Sequence, residues 1–419
     1  MYNKEKTPEQ AGEELNLDTP DFTRFFRMAP EDVKRYAVEV VGFFDADDTL
    51  EAAEIGDGNI NYVTRVRSAR DGRSLIVKQA DRFLRSSGRP LDAGRSRLEA
   101  RMLQLQRELT PRQVPQVYRW DETMAAISME DIGDYRALRG ALSEGKSFPC
   151  LAEELAEFLA NSLLPTTDLV LDRAEKKRRA AFFTNVELCD ITEDLVLTEP
   201  YDDYKGRNVI APENRTFVEE HLYRCAPLRR EAALLRDGFM NHAQALLHGD
   251  LHTGSIFVNG TGIKVIDPEF AFYGPMGYDI GNVLGNLFFP LAARTLEGPE
   301  DRDMDDALPA LIETVYDRTR QRLEEVYDEK VTLSLYREPD FRRSYLDGVM
   351  ADAAGYAGTE IIRRAVGDTK VPEITGVKDP AARAELERTL VRLGAALILD
   401  RRTIRSGAEL TQRFRTSLT

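Results

Sequence analysis

Apolar and polar positions follow different spacings in different parts of the chain. Residues 74–78 form a short apolar run ending in Ile76, Val77 and Lys78, and residues 115–117 and 126–129 give two more runs of strand length. Helical spacing precedes them at Val33, Tyr36, Ala37, Val40 and Val41, behind Pro30 and the acidic pair Glu31 and Asp32 at a plausible helix start. It reappears at Leu98, Met102 and Leu105, and then in Leu151, Leu155 and Leu159 with Phe158 beside them, a stripe that belongs to a core. Residues 349–365 predict a small-residue helix burying Ala353, Ala354, Ala357, Ile361 and Ile362, and residues 386–399 predict a terminal core helix. Residues 1–20 read as a loose polar tail, 175–179 as a solvated basic helix face, and everything from Arg401 as a charged tail. A chain of 419 residues is long enough for two lobes, and the boundary falls near residue 131, giving 1–131 and 132–419.

The densest chemistry lies in residues 246–282. Two apolar runs, Ile256 to Val258 and Ile263 to Ile266, flank Asn259, Gly260, Thr261 and Gly262, the composition of a β-hairpin. Asp250 precedes the first run, while Asp267 and Glu269 follow the second. Folding the hairpin back gathers these acids in one cleft, the layout of a metal-assisted phosphotransfer site. Moving a phosphoryl group from ATP to a sugar hydroxyl needs a carboxylate to orient the hydroxyl and take its proton, the role given to Asp250. It also needs oxygen ligands for Mg2+, given to Asp267 and Glu269, with Pro268 stiffening the turn between them.

His248-Gly249-Asp250-Leu251-His252, followed by the hairpin and Asp267, resembles the catalytic and metal loops of the aminoglycoside phosphotransferase and choline kinase superfamily. The longer string through Thr253-Gly254-Ser255-Ile256, then Asp267-Pro268-Glu269-Phe270 and on to Gly277-Tyr278-Asp279-Ile280-Gly281, is similar to the methylthioribose kinase family. Ser255 stands where most of the superfamily has Asn, and the Asp-Pro-Glu triplet replaces a plain Asp; that family shares both departures. Residues 182–189 and 358–364 extend the resemblance, whereas 81–90 depart from the hydrophobic, Trp-containing stretch of that family.

The resemblance implies an α+β, two-lobed protein-kinase-like fold, with a small antiparallel-sheet N-terminal lobe and a larger, mainly helical C-terminal lobe. It implies transfer of the γ-phosphoryl of ATP to the anomeric hydroxyl of 5-methylthioribose in methionine salvage, and a homodimer. Gly56, Asp57, Gly58 and Asn59 would then form a loop over ATP, although such a string is also an ordinary hairpin turn. Lys78 would pair the α and β phosphates, held by Glu99, and Met129, Glu130 and Asp131 would form the hinge whose backbone meets the adenine edge. Arg363 and Arg364 correspond to a paired-arginine segment and would assist at the sugar, Arg363 foremost. Asp279 would cap a helix and tie down the catalytic loop.

Two rival readings stand beside this. A kinase of another 5-modified ribose, such as 5-deoxyribose, keeps every catalytic residue, because one methylene or thioether is worth only about 1–3 kcal/mol of discrimination. A zinc hydrolase would use His248 and His252, but Gly249 and the hairpin keep the two from stacking on one helical face. His248 is expected instead to brace the loop through backbone hydrogen bonds. Net charge of −15 argues against dominant binding to nucleic acid or an anionic membrane. Cys150, Cys189 and Cys225 lack paired or metal-type spacing, and no leader or long apolar run is visible, so a reduced, cytoplasmic enzyme is expected.

Overall fold

A computed structural model describes residues 21–55, 61–81, 94–297 and 302–419. The expected tail at 1–20 and the glycine-rich loop of Gly56, Asp57, Gly58 and Asn59 lie outside these residues, as does nearly all of the departing stretch after Asp81.

The first lobe is one antiparallel sheet with a helix on each side. After α1 (Pro30–Glu39) come β1 (Leu50–Glu54), β2 (Asn61–Ser68), β3 (Ser74–Ala80), α2 (Arg95–Leu109), β4 (Val117–Asp121) and β5 (Ala126–Glu130), ordered β1-β2-β3-β5-β4 across the sheet. β3 is central and buried on both faces. Leu75 and Val77 pack with Val33, Tyr36 and Ala37 beneath α1, while Ile76 packs with Ala100 and Leu103 of α2 and with Met129. Side chains alternate along a strand, so Lys78 shares the face of Ile76 and points toward α2.

The second lobe is mainly helical, with short strand pairs at its upper edge. β6 (Arg136–Ala137), β8 (Ile256–Val258) and β9 (Ile263–Val265) form one antiparallel sheet, and β7 (Ala245–Leu247) pairs with β10 (Phe272–Gly274). The expected hairpin is therefore β8–β9, its turn closed by Asn259, whose side chain accepts from the N–H groups of Thr261 at 2.8 Å and Gly262 at 3.2 Å. Below lie α3 (Leu151–Leu163), α4 (Gly277–Glu297), α5 (Arg302–Lys330), α6 (Pro339–Val366), α7 (Pro380–Asp400) and α8 (Gly407–Ser417). α4 and α6 touch backbone to backbone: a Cβ built at Gly281 would sit 2.6 Å from the Ala353 carbonyl oxygen. The small-residue face read from residues 349–365 serves this close approach.

Two expectations about charged segments fail. Residues from 401 are not a solvated tail, because Leu410 and Phe414, one helical turn apart in α8, are buried and Phe414 packs against Phe288. Arg401 is itself buried and donates to Asp352 at 2.7 Å. Along the helix Arg173–Phe182, Arg178 is exposed as expected, but Lys176 is buried, bonded to Asp168 at 2.8 Å and to the Ala243 carbonyl at 2.6 Å. A basic run hides such a residue because the helix turns one position inward whatever its charge. No helix among the described residues is long and apolar enough to cross a membrane.

Candidate active site

The loop between β7 and β8 is held by its own backbone hydrogen bonds. Asp279, in the first turn of α4, accepts from the N–H of His248 at 2.6 Å and of Gly249 at 3.0 Å. His248 Nε2 lies 2.8 Å from the Ile266 carbonyl and Nδ1 lies 3.3 Å from the Asp250 N–H, so the first nitrogen donates and the second accepts. Gly249 has φ +85°, and a Cβ there would lie 2.3 Å from the Phe270 carbonyl oxygen, so only glycine fits. His252 Nδ1 accepts from Gly254 at 3.0 Å and Ser255 at 3.1 Å, which leaves its proton on Nε2, 3.6 Å from Asp250 Oδ2. Burial is the largest influence on His252 and draws its pKa down, favouring the neutral ring. These bonds hold Asp250 at the mouth of the cleft with its side chain 33% exposed.

Opposite stands a buried charge cluster. Lys78 Nζ donates to Glu99 Oε1 at 2.7 Å, Asp267 Oδ1 at 2.7 Å and Glu269 Oε1 at 3.0 Å. Burial opposes the lysine's charge, but three carboxylates outweigh it and raise its pKa well above the ordinary value. Glu99 is pushed up to about 8, first by burial and then, against the pull of Lys78, by the anions of Glu269 and Asp267. Glu269 also receives Asn61 Nδ2 at 2.6 Å, and Arg95 approaches its other oxygen at 3.4 Å. Asn185 donates to the backbone carbonyl of Glu269 at 2.8 Å, fixing the turn from below. Asp267 takes φ +62°, a left-handed conformation that Asp tolerates better than most residues and that tends to mark functional loops.

Between the lobes lies a cavity of 420 Å³ whose walls include Val63, Ile76, Met129, Phe257 and Ile266, with Lys78 and Asp267 at one end. Met129, Glu130 and Asp131 all border it. Glu130 is engaged with its neighbours at several groups. Its N–H already donates to the Gln116 carbonyl at 2.8 Å, and its carboxylate is taken by Lys264 at 2.9 Å and the Gln116 N–H at 2.9 Å. Strand pairing at the end of β5 takes the Glu130 N–H. Asp131 turns its carboxylate to Arg65 of β2, in a paired contact of 2.8 and 3.0 Å.

On the far side of Asp250, α6 delivers the arginine pair, and the structure separates them. Arg363 NH2 lies 3.9 Å from Asp250 Oδ1, with its Nε donating to Glu360 at 2.5 Å. Arg364 is turned away, bonded to Glu360 at 3.0 Å and to the Thr369 carbonyl at 3.3 Å.

Residues 51–320 match the phosphotransferase enzyme family. A methylthioribose kinase of a Geobacillus species is 37% identical over 89% of this chain and 92% of its own length. Those of Cronobacter sakazakii and Bacillus pumilus are 36% and 34% identical, covering 94% and 90% of this chain and 99% and 94% of theirs. The chain belongs to the methylthioribose kinase family.

The two carboxylates fit a hard divalent cation in this family member: Asp267 has a side chain 45% exposed toward the cleft, and Glu269 Oε2 is buried without accepting a hydrogen bond among the described residues. No group of three His, Cys, Asp or Glu side chains gathers in metal-ligating fashion among those residues. His248 spends both ring nitrogens on backbone partners, and His252 spends Nδ1 on backbone N–H groups while its Nε2 faces Asp250.

Asn61, Arg95, Asn185 and Glu360 carried no functional expectation from the sequence. Only Glu360 left a readable signal, since an acid three and four positions before two arginines can pair with both on a helix. Burial acts to raise its pKa, but the Arg363 and Arg364 guanidiniums outweigh burial and lower it to about 2. A depressed carboxylate contributes stability above its unfolded pKa and loses it as pH falls through the folded one. The pH-dependent part of the stability difference between wild type and Glu360→Gln is therefore about 3 kcal/mol near neutrality and drops below half of that by about pH 3. Urea midpoints of both proteins across that range check it; a difference that stays constant with pH refutes the assignment.

Proposed function

We propose that the protein transfers the γ-phosphoryl group of ATP to the anomeric hydroxyl of 5-methylthioribose, forming 5-methylthioribose 1-phosphate and ADP. The observation that carries this reading is one cleft edge where Asp250, half-open to solvent, faces Arg363 at 3.9 Å on one side while Lys78, Asp267 and Glu269 cluster on the other. Asp250 orients the anomeric oxygen and takes its proton as that oxygen bonds to the γ-phosphorus and the bond to the bridging β,γ-oxygen breaks. Lys78, restrained by Glu99, positions the phosphates, and Arg363 balances negative charge at the acceptor. Asp267 and Glu269 would hold Mg2+, which supplies charge neutralisation for the phosphates when bound. Met129, Glu130 and Asp131 with the apolar cavity walls take the adenine, and Gly56, Asp57, Gly58 and Asn59, outside the described residues, are assigned to the phosphates. The lobes meet near residue 131. A homodimer working in the reduced cytoplasm, in methionine salvage, completes the reading.

Magnesium-dependent ADP release, measured against 5-methylthioribose, 5-deoxyribose, ribose and an aminoglycoside, tests it. Strong turnover with 5-methylthioribose alone is expected. Preference for 5-deoxyribose would keep the chemistry and change the substrate, and no release with any acceptor would overturn the proposal.

A further inference from the structure

The acceptor side of the cleft is built from two segments far apart in sequence, the catalytic loop carrying Asp250 and helix α6 carrying Arg363. A continuous run of buried and half-buried polar contacts joins them. Arg139 holds the loop twice at Thr253, its N–H donating to the carbonyl at 3.0 Å and its Nε to the hydroxyl at 3.3 Å. Its NH2 donates to Asn286 Oδ1 at 2.6 Å; Asn286, on α4 and 1% exposed, donates in turn to Glu360 Oε1 at 3.1 Å. Glu360 then receives Arg363 through Oε2 and Arg364 through Oε1. Asn286 has one arrangement that serves both neighbours, oxygen toward the guanidinium and nitrogen toward the carboxylate, so its orientation is fixed by chemistry.

The helices do not need this chain of contacts to pack. α4 and α6 already meet through the glycine-lined face at Gly281, and a buried polar run is a costly substitute for apolar packing. What it adds is a set distance. At 3.9 Å, Arg363 and Asp250 are too far apart for a direct hydrogen bond and close enough for one hydroxyl oxygen to touch both.

Resting on the phosphotransfer reading above, we infer that Arg139, Asn286 and Glu360 are positioning residues that fix the Arg363–Asp250 gap in which the acceptor hydroxyl reacts. None of the three touches substrate; Asn286 and Glu360 act through Arg363, and Arg139 joins that run to the loop at Thr253. Misplacing a reacting partner by about 1 Å costs on the order of 100-fold in rate, and the loss of one link shifts rather than removes Arg363.

Asn286→Leu keeps the volume and deletes the contacts to Arg139 and Glu360, together with the one its Nδ2 makes to the Asn282 carbonyl at 3.0 Å within α4. Its kcat/KM for the sugar is expected to fall about 10- to 100-fold, with KM for ATP unchanged. In an Arg363→Met background the same substitution has little further effect, within about twofold, because the residue it positions is gone. Asn286→Ala, which removes the same side-chain contacts with less added bulk, repeats both measurements should Asn286→Leu fail to fold. Unchanged sugar kinetics in the folded variant, or a full additive loss in the Arg363→Met background, overturns the inference and leaves a structural network. Wild-type protein that phosphorylates no pentose overturns instead the reading on which it rests.

Discussion

Asp250→Asn lowers kcat about 1000-fold, within the range that removal of a positioned general base produces. The substitution is nearly isosteric, and Asp250's N–H stays on His248 Nδ1 while His248 and Gly249 stay on Asp279, so the loop keeps its shape. Nothing in the 420 Å³ cavity between the lobes depends on the lost charge. Nucleotide affinity is therefore expected to change by no more than roughly twofold, which places the whole loss in the chemical step. Single-turnover phosphorylation with titrated ADP binding separates the two quantities. A loss under about tenfold would remove Asp250 from the role of base.

Lys78→Met is the change with the largest combined effect. It strips the one cation that bonds Glu99, Asp267 and Glu269 together. Breaking a buried ion pair by removing one partner costs about 3–5 kcal/mol, because the opposite charges stay behind. Loss of a phosphate-positioning charge adds a fall of about 100-fold or more in kcat/KM for ATP. The pH dependence has a definite sign. Burial and neighbouring anions already raise the Glu99 pKa to about 8 with the lysine present, and without the lysine Glu99 holds its proton more tightly still. Groups whose folded pKa lies above the unfolded one stabilise the fold as pH falls; wild type gains this only below about pH 8 and the variant from higher pH, so the variant's deficit shrinks on going from about pH 10 to about pH 8. Adding Glu99→Gln should restore part of the stability and none of the turnover. Urea unfolding at both pH values, with ATP kinetics on the double variant, decides it; recovered turnover would mean that Lys78 acts on the fold alone.

Most of the catalytic loop was legible in the primary structure because its constraints are local. A glycine with φ +85° between His248 and Asp250, a turn at Asn259 to Gly262 and an Asp-Pro-Glu triplet each state a backbone requirement in consecutive residues. Lys78 was legible for the same reason, standing at the end of an apolar strand with a helical glutamate following. Charged runs misled where burial was decided by distant partners: Lys176 finds Asp168 and the Ala243 carbonyl, and Arg401 finds Asp352, neither pairing being visible in spacing. At Glu130 the register with the segment at Gln116 decides where its N–H goes, which spacing does not show.

By itself, then, the sequence determined the acids, the lysine and the arginine pair, along with the order in which the chain presents them, because short-range backbone chemistry and helical or strand periodicity are written in neighbouring positions. Only the tertiary structure decided which arginine faces Asp250, that Asn61 and Arg95 converge on Glu269, and that Arg139 and Asn286 connect Thr253 to Glu360. Those contacts join residues as many as 208 positions apart. Their geometry comes from how closely α4 and α6 pack and how the two lobes meet, quantities that no local pattern encodes.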